Sequence, residues 1–125
     1  MAAKVGRIVW TGRILSILVS LMFLMSGVMK FVGGDDLKKE MDRVGIPAGL
    51  VKPLGTLEIA CVLIYAIPAT SMLGAILLTG YLGGAIVTHL RLNDPYFVQV
   101  ILGVIVWLGM WLREGRLRSL IPVRF

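Results

Sequence analysis

Four long apolar runs, separated by short polar stretches, dominate the sequence. They cover residues 14–32, 53–68, 72–90 and 96–112. The first and third are long enough for a helix to cross about 30 Å of hydrocarbon, and the second is the shortest. In lipid, a helix also satisfies its own backbone polar groups. The pattern predicts an all-α integral membrane protein, a four-helix bundle that runs up-down-up-down.

The stretch between the first two runs, residues 33–52, is rich in charge and predicts an extramembrane loop. Asp35 and Asp36 are suited to cap a short helix with an acidic first turn, and Gly45 is suited to end it. Apolar residues recur at helical spacing within it: Leu37, Met41 and Val44. We therefore predict an amphipathic helix that lies on the bilayer or on the bundle.

Composition agrees with the membrane interpretation. Of 125 residues, 58% are hydrophobic and 16% charged, whereas a soluble domain has roughly 45–50% and about 25%. A soluble enzyme, a disordered tail and a disulfide scaffold become poor explanations. The single cysteine, Cys61, excludes an internal disulfide and a cysteine metal cage, and we predict no metal site. The whole chain, residues 1–125, is predicted to be one transmembrane domain.

The net charge of +6 arises from 13 basic and 7 acidic residues. Seven basic residues flank the first and last runs, on what we call the near side of the membrane: Lys4, Arg7, Arg13, Arg113, Arg116, Arg118 and Arg124. Five lie in the loops of the opposite, far side: Lys38, Lys39, Arg43, Lys52 and Arg91. Because basic loops favour the cytoplasm, we expect both termini there and a multi-pass protein of the inner (plasma) membrane. The basic residues adjoin apolar runs, so we expect lipid rather than nucleic acid as their partner.

Few ionisable side chains fall inside the apolar runs, where they are costly and call for a partner or a function. Lys30, Glu58 and His89 are placed by helical rise toward the far side. Three more polar residues follow at the same level: Arg91, Tyr96 and Gln99. We interpret this layer as a polar pocket that binds the head group of a small amphiphile.

A purely structural interpretation of the same residues stays open. Lys30 is close enough to a helix end to snorkel to the interface. Glu58 could pair with Lys30 and simply join two helices. His89 and Arg91 lie near the membrane–water boundary, where polar residues exposed to water are common.

The third run contains a GxxxG pattern at Gly80 and Gly84. In membranes, glycines at this spacing let helices approach closely. We predict that these two glycines pack against another helix, in the same chain or in a partner.

Several short motifs, in order, resemble the DoxX-like family of small four-helix bacterial membrane proteins. They are Arg13 before the first run, Ser26-Gly27 with Lys30-Phe31 at its end, and Gly45-Ile46-Pro47 before the second. Gly55 with Glu58, and Gly83-Gly84-Ala85 with His89, complete the pattern. The resemblance extends from Arg13 to about Pro122, and its polar positions match Lys30, Glu58 and His89.

The resemblance implies an accessory component of a redox or quinone-linked membrane system, with a quinone-like or lipid-like molecule as ligand. Its partners would be a membrane oxidoreductase subunit or further copies of the chain. We expect no catalysis by the chain itself. Two alternatives stay open: a membrane enzyme, as an oxidoreductase subunit or a proton-transfer isomerase using Glu58 and His89, and a small transporter or assembly factor.

Overall fold

The computed structural model describes the backbone of residues 2–122 and the side chains of residues 6–122. These residues form helices and no strand, so the all-α prediction is confirmed. The α-helices are α1 (Ala2–Val32), α2 (Asp35–Val44), α3 (Ala48–Ala66), α4 (Ser71–Leu90), α5 (Phe97–Arg113) and α6 (Gly115–Arg118). A short 3₁₀ turn, Pro68–Thr70, links α3 to α4. Of the near-side basic residues, the Lys4 side chain and Arg124 lie outside the described residues.

Three segments are long and apolar enough to cross a membrane: Gly6–Val32, Ala48–Ala66 and Pro68–Leu90. The helix α5 is equally apolar in character but has 17 residues, about 25 Å of rise. The four long helices contact one another in a closed order, α1 with α3, α3 with α4, α4 with α5, and α5 with α1.

The amphipathic segment folds as the sequence predicts, with one difference at its start. Gly45 takes a left-handed conformation (φ 79°) and ends α2, and the Ile46 N–H donates to the Met41 carbonyl at 2.9 Å. At the other end the cap is Gly34, with no side-chain bond, so Asp35 and Asp36 form the first turn rather than the cap. Their charge still faces the positive end of the helix dipole.

The second long helix begins earlier than the expected start at Pro53. It begins at Ala48 after Pro47, and Pro53 lies inside it. A proline so close to the start removes one hydrogen bond of the second turn, and its fixed φ suits a helix, so the helix continues. Residues 48–52, expected in the loop, are therefore helical.

Small residues set the closest helix contacts. A Cβ placed on Gly12 of α1 would lie 2.7 Å from the Gly109 carbonyl oxygen of α5. A Cβ on Gly55 of α3 would lie 2.9 Å from the Gly27 carbonyl oxygen of α1. On α4, Gly74 meets the Tyr65 backbone with no room for a side chain. The backbones thus pack directly against each other at these points.

The two glycines singled out in the sequence, Gly80 and Gly84, do not pack within the described part of the chain. Nothing lies within 4 Å of a Cβ built on either. The inward face of α4 carries Gly74, Ala75, Leu78 and Leu82, and Gly80 and Gly84 lie on the opposite face of the helix.

Tyr65 is the central side chain of the core. It is fully buried, and its hydroxyl donates to the Val106 carbonyl of α5 at 2.7 Å. The Ser16 hydroxyl of α1 lies 3.1 Å from the same oxygen. One tyrosine of α3 thereby connects three helices through satisfied polar groups.

Candidate functional site

The contact between α1 and α3 brings the two intramembrane charges together. Lys30 lies one turn beyond Gly27, and Glu58 one turn beyond Gly55, on helices that run antiparallel. Each side chain tilts back toward the start of its own helix, so the two meet across the close contact of the glycines. The Lys30 Nζ lies 2.8 Å from the Glu58 Oε2. It also donates to the Ser26 hydroxyl, one turn back on its own helix, at 3.0 Å. Lys30 therefore points into the protein rather than out to the interface.

This pair is buried. Glu58 is 2% exposed and Lys30 10%. The Tyr81 hydroxyl of α4 donates to the same Oε2 at 3.0 Å, so this oxygen of Glu58 accepts from two helices. Removal of either charge would leave the other buried without its partner, which is strongly unfavourable.

Tyr81 is the member of this cluster that the sequence analysis missed. It lies at mid-depth of the third run, where an isolated tyrosine is unremarkable in an apolar helix. The one sequence feature that could have pointed to it is a hydroxyl at that depth, because a buried hydroxyl needs a hydrogen-bond partner. The packing of α4 on α3 supplies that partner.

His89 belongs to a second cluster, in the last turn of α4 and the turn that follows it. Its Nδ1 lies 3.4 Å from the Asp94 Oδ2, and the Arg43 Nη1 donates to that oxygen at 2.6 Å. Arg43 also pairs with Glu40, so α2 is joined to the turn between α4 and α5. The Arg43 hydrogen bond holds the pKa of Asp94 below its ordinary value, with His89 acting in the same direction. It lowers the pKa of Glu40 likewise.

The remaining predicted site residues make no side-chain hydrogen bond to either cluster. Arg91 and Tyr96 are exposed at the two ends of the α4–α5 turn. Gln99, the third residue of α5, is partly buried, and its Oε1 has no hydrogen-bond partner among the described residues. Hydrogen bonds thus join Lys30 to Glu58 and His89 to Asp94, and they do not join the six predicted residues into one network.

Among the grooves on the described surface are three large ones, and neither Glu58 nor His89 lines these three. The α4–α5 groove encloses about 680 Å³ and is almost entirely apolar. Its lining includes Leu82, Gly83, Ile86, Gln99, Gly103, Val104, Trp107, Trp111 and Ile121. The α1–α3 groove encloses about 440 Å³ at the near side, and the third, about 610 Å³, lies between α1, α2 and the start of α3.

Gln99 is the polar side chain of the α4–α5 groove whose hydrogen bonding is incomplete, since its buried Oε1 has no partner among the described residues. The Trp107 indole N–H donates to the Thr79 hydroxyl at 2.7 Å, and that hydroxyl donates to the Ala75 carbonyl at 2.8 Å. The Trp111 N–H donates to the Ile121 carbonyl at 2.8 Å.

Residues 6–122 contain no set of side chains suited to hold a metal ion. No group of three or more His, Cys, Asp or Glu side chains there is placed to hold an ion. Cys61 is a free, buried thiol.

Comparison with known families identifies the class of protein. The profile of the DoxX-like family matches residues 14–112, most of the chain. The chain therefore belongs to the DoxX-like family, as its motifs suggested, and it is a membrane protein built of apolar helices. No curated protein and no solved structure matches it.

We expect the Lys30–Glu58 pair to stabilise the fold as a unit. Lys30→Met leaves a buried carboxylate without its cation, and the free energy of unfolding falls by about 3–5 kcal/mol. Glu58→Gln leaves a buried lysine without its carboxylate and lowers the free energy of unfolding for the same reason. The double variant should lose much less free energy of unfolding than the two single variants added together. Unfolding in mixed micelles measures the wild type, both single variants and the double variant, which together form a double-mutant cycle.

Lys52→Met is the matched control, since Lys52 is an exposed lysine of α3 with no acidic partner among the described residues. It changes the free energy of unfolding by less than about 0.5 kcal/mol. Strictly additive losses at Lys30 and Glu58 would show that the pair does not act as a unit.

Proposed function

We propose that this protein is an accessory membrane component that binds a quinone-like amphiphile in the α4–α5 groove. The observation that carries the proposal is Gln99, which lines the far end of an otherwise apolar groove and whose buried Oε1 has no hydrogen-bond partner among the described residues. A quinol hydroxyl donates to such an oxygen, and the amide N–H donates to a quinone carbonyl. The groove thus has one polar end for a ring and a long apolar wall for its tail.

The shape of the groove also suits an isoprenoid or acyl tail. Gly83 and Gly103 have no side chains, which deepens the space between the helices, and Trp107 and Trp111 line its near-side half. The volume of about 680 Å³ lies within the ordinary range for small-molecule sites. The quinone-linked role implied by the family resemblance is consistent with this chemistry.

The enzymatic alternative loses its main support. It required Glu58 and His89 to share one site, but Glu58 is paired with Lys30 and Tyr81 while His89 contacts Asp94. Neither side chain lines any of the three grooves described above. We therefore propose binding rather than proton transfer.

We further propose four membrane spans with both termini in the cytoplasm. Contact between Gly12, early in α1, and Gly109, late in α5, supports α5 as the fourth span and both termini on one side. The larger number of basic residues at that side supports its cytoplasmic location.

Labelling of introduced cysteines tests this orientation, because Cys61 is buried and stays unreactive. Lys38→Cys in α2 should react with a membrane-impermeant maleimide on intact cells. Ser119→Cys, after α6, should react only once the membrane is permeabilised. The reverse pattern would place the termini outside.

Quinone binding in the α4–α5 groove is tested by filling the groove with a bulky side chain. Gly83 lines the groove, whereas its neighbour Gly84 does not, and a Cβ on either meets nothing within 4 Å. A short-chain ubiquinone should quench the fluorescence of Trp107 and Trp111 saturably in the wild type and in Gly84→Phe. In Gly83→Phe we expect the apparent affinity to fall by about tenfold or more, since the new ring occupies the groove.

Equal quenching curves for Gly83→Phe and Gly84→Phe would show that the quinone binds elsewhere. Thermal unfolding of both variants confirms that each is folded before the comparison is made.

A further inference from the structure

The α1–α3 groove differs from the α4–α5 groove because its near-side end carries two arginines. Arg13 of α1 and Arg113 of α5 line it together with Trp10 and Ser16. Toward the membrane interior the lining becomes aliphatic, with Ile17, Leu21 and Leu63. The groove is thus cationic at one end and apolar along the rest.

Arg113 is only weakly engaged by the protein. Its Nε is buried with no hydrogen-bond partner, and its Nη2 makes contacts of 3.5 Å to the Tyr65 carbonyl and 3.4 Å to the Met110 sulfur. The guanidinium carbon lies 5.0 Å from the centroid of the Tyr65 ring. A partly buried guanidinium with unused donors favours an anionic partner.

Arg113 is also not required to cap its own helix. Arg118 donates to the Trp111 and Leu112 carbonyls at 3.0 and 2.6 Å, so the last turn of α5 already has its donor. The donors of Arg113 are therefore available to the groove.

Arg13 has no acidic partner among the described residues. Its guanidinium carbon lies 5.0 Å from the centroid of the Trp10 ring, and no carboxylate of residues 6–122 lies within 4.0 Å of its nitrogens. The only acid of the near-side segments, Glu114, pairs with Arg116. No carboxylate of the described residues compensates the charge at this end of the groove.

We infer that the α1–α3 groove is a binding site for an anionic phospholipid of the near-side leaflet. Its phosphate lies between Arg13 and Arg113, and one acyl chain follows the aliphatic wall of the groove. Arginine forks match phosphate oxygens in geometry and charge. With the proposed orientation this is the cytoplasmic leaflet, where basic residues near the surface attract anionic lipid. The site is separate from the α4–α5 groove, so either can be tested without the other.

Native mass spectrometry of the full chain in detergent tests the inference. The probes are phosphatidylglycerol and phosphatidylcholine with identical acyl chains. The wild type should bind one phosphatidylglycerol at least about tenfold more tightly than phosphatidylcholine. Arg13→Gln and Arg113→Gln should each remove most of that preference. Arg113→Lys, which keeps the charge but loses the fork, should retain an intermediate preference.

Arg7→Gln is the matched control, because it removes the same charge from an exposed position of α1 that does not line the groove. It should leave the preference unchanged. Equal binding of the two lipids by the wild type, or equal losses in Arg7→Gln and Arg13→Gln, would overturn the inference. Displacement of the lipid by soluble glycerol phosphate at comparable concentration would also overturn it, since the acyl chain would then contribute nothing.

Discussion

A charged pair inside a membrane protein constrains everything packed around it, and here that pair is Lys30 with Glu58. An unpaired carboxylate at this depth is strongly unfavourable, so α1 and α3 must meet where the lysine reaches it. The glycine contact between Gly27 and Gly55 permits that approach. The Tyr81 hydroxyl then brings α4 to the same carboxylate oxygen.

Tyr65 plays the corresponding role for α5. Its hydroxyl connects Ser16 of α1 and the Val106 carbonyl of α5, while Gly74 of α4 packs on its backbone. The four long helices are thus joined by two small polar networks set in an apolar core. Lys30, Glu58 and Tyr65 bond to other side chains or backbone groups of the protein, whereas the spaces open to ligands lie at the surface, in the grooves between helices. The function of this DoxX-like protein is accordingly proposed for a groove rather than for its buried charges.

Much of the fold follows from sequence, because helical rise fixes how deep each residue lies. The helices, the Gly45 stop and the nearness of Lys30 to Glu58 all come from counting along the chain. Counting residues does not give the direction in which each side chain points around its helix. Helices that are apolar on every side have no polar face to orient them. For that reason the sequence does not show that Gly80 and Gly84 face away from the other described helices, or that His89 contacts Asp94 while Glu58 bonds to Lys30.

The location of a bound quinone tests the account most directly. Crystals of the protein grown in a lipidic mesophase can be soaked with a short-chain ubiquinone that carries bromine on its tail. We predict an anomalous bromine peak in the α4–α5 groove beside Gly83 and Trp107, with the Lys30 Nζ still bonded to Glu58. A peak beside Glu58, with the ion pair separated, would contradict the account.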